Sequence, residues 1–149
     1  MITIAFDADD TLWDNEIYFR ESERKFCKLI NEFSPKWTER EIMPILFETE
    51  VGNLSIYGFG VKSFVLSAIE AAGKLLKDDV PYSIVKSVVE IGREQLMKPV
   101  TLLTDVEAIL AKLKAEGKYR LVLATKGDLL DQESKIERSG LAKYFDRTI

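Results

Sequence analysis

The sequence contains no histidine and only one cysteine, Cys27. Without imidazole, Ser-His and Cys-His catalysis and histidine-ligated metals are closed to it. One thiol allows neither an internal disulfide nor a multi-cysteine zinc site, so Cys27 reads as a small core residue in a reducing compartment. No run approaches the roughly 18 apolar residues of a membrane span, and no basic segment ahead of an apolar one opens the chain. The expected setting is cytoplasmic, with no membrane partner. An excess of one charge is lacking too: 21 basic and 25 acidic residues leave a net charge of −4, with no block of five like charges. A nucleic-acid partner is therefore not expected. Acid–base chemistry falls to carboxylates, lysine, tyrosine or the one thiol.

What is present is enough apolar residue in 149 positions to enclose a core, as one domain or one domain carrying an insertion. Residues 1–6 form a short Ile-rich run that stops at a cluster of acids, which predicts a strand buried on both faces with its carboxyl end at a polar site. From Asn15 to about Lys98, apolar residues recur at three and four, as in Phe19, Phe26, Leu29 and Ile30, then Phe64, Val65, Ala68 and Ile69. This block predicts several helices. Thr38 with Glu41 has the spacing of a capping box, Pro81 opens a later helix, and glycines 52, 58 and 60 are expected to separate the middle ones.

After Pro99 the pattern changes. Thr104 with Glu107 gives a second capping box, and Val106, Ile109, Leu110 and Leu113 supply an amphipathic stripe that ends at Gly117. Tyr119 to Ala124 is a second short apolar run, ending in Thr125-Lys126-Gly127-Asp128. Leu129 to Ser139 resumes helical spacing, with Leu130 and Ile136 inward and Gly140 as the stop, and Tyr144 to Ile149 approaches a third strand. Strand, helical insert, helix, strand, helix and strand start is the order of an α/β parallel sheet with crossover helices.

In such sheets ligands bind beyond the carboxyl ends of the strands, where both polar clusters fall. Asp7 and Asp9, two apart, lean to one face if the extended geometry continues. Two carboxylates so close can share a divalent cation or take separate roles, and acids at strand ends also serve as turn formers or helix caps.

The complete string Phe6-Asp7-Ala8-Asp9-Asp10-Thr11-Leu12 resembles the first motif of the haloacid dehalogenase superfamily, and Leu121-Val122-Leu123-Ala124-Thr125 resembles the second. The mostly helical segment between them resembles the cap that some members insert after the first motif. The resemblance implies a partial Rossmann-like core, 1–14 and 99–149, carrying an α-helical cap over 15–98. It implies a phosphohydrolase acting on a small phosphorylated substrate, with Asp7 as nucleophile and Asp9 as general acid and then base. Thr125 and the amides around Lys126 and Gly127 would hold the phosphoryl oxygens, and Mg2+ would be bound by the Asp7 carboxylate and the Asp9 backbone carbonyl. Dehalogenases carry a non-acidic residue where Asp9 stands, which favours phosphate esters over a haloacid substrate.

Asp10 replaces a glycine common at that place and is expected to act as a turn or capping residue. Trp13 to Glu16 are expected to form the hinge into the cap, with Asp14 as a helix cap. Lys126 reads as a surface lysine or as a stand-in for the family's later lysine, and Lys135 as solvent-facing. Tyr57, Phe59 and Phe64 are expected in the core. The family's lysine motif and its strand ending in paired acids have no match after Thr125. The expectation is therefore a truncated hydrolase with little activity, self-associating through an uncovered edge of its first strand. A non-catalytic interaction protein derived from a hydrolase is the alternative.

Overall fold

The computed structural model describes residues 1–149 as two compact units, Met1–Ile17 with Pro99–Ile149, and Tyr18–Lys98. The first holds strands β1 (Ile2–Phe6), β2 (Tyr119–Leu123) and β3 (Arg147–Thr148), with helices α5 (Val106–Ala115) and α6 (Leu129–Ser139) between them. The second is helical: α1 (Glu16–Phe33), whose first residues belong to the first unit, then α2 (Glu39–Tyr57), α3 (Val61–Leu76) and α4 (Tyr82–Leu96). The chain is thus α/β, with a parallel sheet.

The sheet order is β1-β2-β3, and the register pairs Ile4 with Leu121, Phe6 with Leu123 and Leu123 with Thr148. The expected burial of β1 on both faces is not found: Ile2, Thr3 and Ala5 are exposed, and Ile4 and Phe6 are half-buried. An apolar strand is buried only where layers and neighbours cover it, and β1 has a neighbour along one edge alone. The central place belongs to β2, whose Leu121, Val122 and Leu123 are buried. Around Leu121 and Leu123 pack Ala8, Leu12, Trp13, Leu110, Ile136 and Leu141. Asp146 fixes the approach to β3, since its carboxylate accepts the Leu121 amide at 2.9 Å and pairs with Lys114. Lys114, with help from that amide, holds the Asp146 carboxyl below its usual range.

α5 departs from expectation at its start. Asp105, at φ 64°, takes the N-cap position one residue later than the Thr104 box required. Glu107 therefore reaches Lys143 and Tyr144 instead of closing a box, and Ile109 turns to solvent while Leu110 faces inward.

The helical unit encloses Phe26, Cys27, Ile30, Ile42, Leu46, Phe64, Ala68, Leu75, Ile84 and Val88. The Thr38–Glu41 box is formed, and Pro81 stands at the N-cap position of α4, opening it as expected. Gly52 does not separate helices but lies within α2; Gly58 and Gly60 make the break. Phe64 joins the core as expected, whereas Tyr57 and Phe59 are exposed at the α2–α3 corner, where the turn carries them off the packed face. Cys27 is buried, and burial pushes its thiol up to about 11. No helix is long and apolar enough to cross a membrane.

Candidate active site

The carboxyl end of β1 runs directly into the acid cluster. Asp7 is exposed, and its carboxylate meets only the Thr11 hydroxyl, at 3.4 Å. A tight turn follows: the amides of Thr11 and Leu12 reach the Ala8 carbonyl, and the Asp10 amide reaches that of Trp13. This turn carries Asp10 to φ 58°, a conformation that glycine adopts freely and that aspartate tolerates better than most residues. Asp10 Oδ1 accepts the amides of Asn15 and Glu16 at 2.9 and 3.0 Å, so Asp10 rather than Asp14 caps α1. Its carboxylate is thereby committed to structure.

Asp9 has a denser environment. The Trp13 indole N–H donates to its Oδ1 at 2.8 Å, the Lys135 ammonium meets the same oxygen at 3.0 Å, and the Gln132 amide donates to Oδ2 at 2.8 Å. Three donors thus surround the two Asp9 oxygens. Trp13 is 1% exposed and bridges Leu102 as well as Asp9.

Lys135 was expected to face solvent, and the structure turns it inward. Its side chain is 15% exposed and is shared among Asp9, Asn15 at 3.0 Å and Asp131 at 3.4 Å. Asp128 caps α6 by accepting the Asp131 amide, and from that start residues 131, 132, 135 and 136 line the buried face. Leu129 and Leu130 consequently fall outside, against the expectation that Leu130 packs inward.

At the end of β2, the Thr125 hydroxyl accepts the Gly127 amide at 3.2 Å, which leaves the hydroxyl hydrogen free to donate. A phosphoryl oxygen would have to take over the Gly127 N–H from this contact. Lys126 is exposed. Gly127 has a steric role: a β-carbon there would stand 2.3 Å from Gln132 Nε2. Gln132 is itself 1% exposed, and its Oε1 has no partner. The structure thus joins Asp9 to the second polar cluster through Gln132 and Gly127, and leaves Asp7 open. Gln132 and Lys135 were missed because a polar helix face reads as solvated; their one signal was the i, i+3/i+4 series Asp128, Asp131, Gln132, Lys135 opposite Leu129 and Leu130.

No group of three acids, cysteines or histidines stands together as a metal cage. With Asp10 bonded to helix amides and the Asp9 side chain to its three donors, the Asp7 carboxylate remains as the open hard-oxygen ligand. Magnesium commonly binds through one or two carboxylates with substrate phosphate and water, so these residues fit an ion that arrives with phosphate and not one bound tightly beforehand.

Comparison with solved structures gives the fold a wide kinship. A haloacid dehalogenase-like family hydrolase from Xanthomonas campestris is 36% identical, with a TM-score of 0.84 over 99% of this chain and 60% of its own. A 2-haloacid dehalogenase from Pseudomonas syringae pv. tomato is 21% identical, with a TM-score of 0.62 over 100% of this chain and 64% of its own. A protein described as a predicted phosphoglycolate phosphatase from Haemophilus somnus is 20% identical, with a TM-score of 0.52 over 99% and 61%. The chain therefore spans less than two thirds of the length of each of these relatives, 60–64%. A search among curated proteins finds no match. The family model of the haloacid dehalogenase-like hydrolases matches residues 1–149, the whole of the sequence, and the chain belongs to that family.

Proposed function

We propose that this chain carries the nucleophile and the proton-transfer residue of a phosphohydrolase acting on a small phosphate monoester. The observation that carries the reading is the pairing of an open carboxylate, Asp7, with a second acid, Asp9, held at a fixed place two residues on. A halide leaves without a proton, whereas an alkoxide does not, so an acid at position 9 has a use in ester cleavage that it lacks in dehalogenation.

In the first half-reaction an Asp7 oxygen bonds to phosphorus, the bond from phosphorus to the ester oxygen breaks, and Asp9 gives that oxygen its proton. In the second, Asp9 takes a proton from water, the water oxygen bonds to phosphorus, and Asp7 is released with inorganic phosphate. The Thr125 hydroxyl donates to a phosphoryl oxygen, and the Gly127 amide turns to another. Magnesium, with the Asp7 carboxylate and the Asp9 carbonyl as its protein ligands, would offset the repulsion between carboxylate and phosphate. The helical segment 15–98 is proposed as the cap that selects the substrate.

A second reading, a non-catalytic interaction protein, draws support from the unpaired edge of β1 and the exposed Ile2. Beryllofluoride with magnesium separates the two. A bound fluorine NMR signal in the native protein that vanishes in Asp7→Asn supports the hydrolase. Equal spectra for the two proteins would rule it out.

A further inference from the structure

We propose that Lys135 and Gln132 are positioning residues that hold the Asp9 carboxylate in one orientation for proton transfer. The proposal rests on the reading of Asp9 as the acid and base. An aspartate on a turn has two free side-chain torsions, and proton transfer requires the carboxylate to meet its target within hydrogen-bond reach. Here both oxygens are held from outside the turn by residues of α6 that lie three apart and so share a face.

These holders are themselves held. Lys135 is fixed by Asp131 one turn earlier and by Asn15, and its low exposure leaves the ammonium little room to wander. Gln132 reaches Asp9 across the space left by the missing side chain of Gly127. The amide meets Asp9 through its N–H, which donates to Oδ2. The opposite end, Oε1, is then left buried without a donor. A fully buried residue chosen only for stability would not strand an acceptor, since a leucine or methionine fills such volume without an unpaired group. The arrangement makes sense if orienting Asp9 outweighs that penalty, as in sites whose reacting groups are supported by a surrounding layer of locked side chains.

The two tryptophans supply a test that does not depend on turnover. The Trp13 indole N–H donates to Asp9, whereas that of Trp37 donates to the Leu75 carbonyl in the helical unit. In 15N-labelled Lys135→Met, and to a smaller extent in Gln132→Leu, the Trp13 indole signal is expected to shift and lose protection from exchange while that of Trp37 stays. Lys135→Arg should restore it. In assays with magnesium, kcat/KM for glycerol 2-phosphate, whose alkoxide leaves only with a proton, should fall roughly tenfold or more in Lys135→Met. For p-nitrophenyl phosphate, whose phenolate leaves unaided, the loss should be several times smaller, and Lys135→Arg should recover most of both.

A Trp13 signal unmoved in both variants overturns the proposal. So does a displaced Trp13 signal with equal losses on the two substrates. Turnover that survives Asp7→Asn sinks the hydrolase reading instead; there, and where turnover is too low to compare the substrates, the Trp13 signal decides whether α6 holds Asp9.

Discussion

Asp10 offers a clean separation of two effects, because one residue supplies both a backbone conformation and a cap. Its φ of 58° lies in the left-handed region, and its carboxylate accepts the amides of Asn15 and Glu16. Asp10→Ala loses both contributions: the cap is worth about 1 kcal/mol, and the left-handed conformation costs an ordinary L-residue about 1–2 kcal/mol. The expected loss is about 2–3 kcal/mol, less the strain that aspartate itself already bears. Asp10→Gly removes the cap but none of the conformational fit, and should lose about 1 kcal/mol or less. Asp10→Asn keeps an acceptor and tolerates the conformation, forfeiting chiefly the charge at the helix start, about 0.3–1 kcal/mol. Urea unfolding followed by Trp13 fluorescence in a Trp37→Phe background reports on the unit that contains the turn. The order Ala worse than Gly, and Gly no better than Asn, is the prediction. Equal losses for Ala and Gly would refute the conformational part, and an Asn variant as weak as Ala would refute the account of the cap.

Two further outcomes follow from the helical unit. A β-carbon on Gly92 in α4 would lie 2.3 Å from Val65 Cγ2 of α3, so Gly92→Ala should destabilise the unit by about 1–3 kcal/mol, and Val65→Ala should relieve part of that loss in the double variant. An additive double variant in denaturant titrations would count against the contact. Burial first, and then the neighbouring Glu23, raises the Glu50 carboxyl from 4.5 to about 7, against an opposing pull from Arg20. The folded state therefore keeps this proton to higher pH than the unfolded state does, and stability declines as pH rises from about 4.5 to about 7, then levels off. Glu50→Gln should flatten that decline and stabilise the unit at pH 8 by on the order of 1 kcal/mol, after discounting for partial exposure. An unchanged pH profile of melting temperature would contradict it.

The strand ends were legible in the sequence because their signals are local. An apolar run that stops at Asp7, and another that stops at Thr125, needs no knowledge of partners, and α6 begins and ends where Asp128 and Gly140 punctuate it. The failures share a cause of the opposite kind. The exposure of β1, of Ile109 and of the Tyr57–Phe59 corner is decided by which layers stand beside them, and periodicity carries no such information. The start of α5 was misplaced by one residue because Asp105 in the left-handed conformation competes with Thr104 for the cap position, and composition does not rank those two.

α6 shows why the site was only half readable. Hydrophobic patterning assigns polar faces to water, and by that rule Leu130 belongs inside and Lys135 outside. The structure inverts the assignment because Asp9 supplies what water would have supplied: a charge for Lys135 and an acceptor for Gln132. The inversion depends on a contact spanning well over a hundred residues, between a turn after β1 and a helix after β2, which the parallel pairing of β1 with β2 brings together. Neither segment's spacing contains that contact. A buried polar helix face is therefore expected where its neighbour is itself a charged site. Seen in reverse, exposed leucines on a short helix with a regular series of Asp, Gln and Lys on the other side point to a site packed beneath them. In this chain that series leads to Asp9, and Asp7 lies two residues away with its carboxylate open.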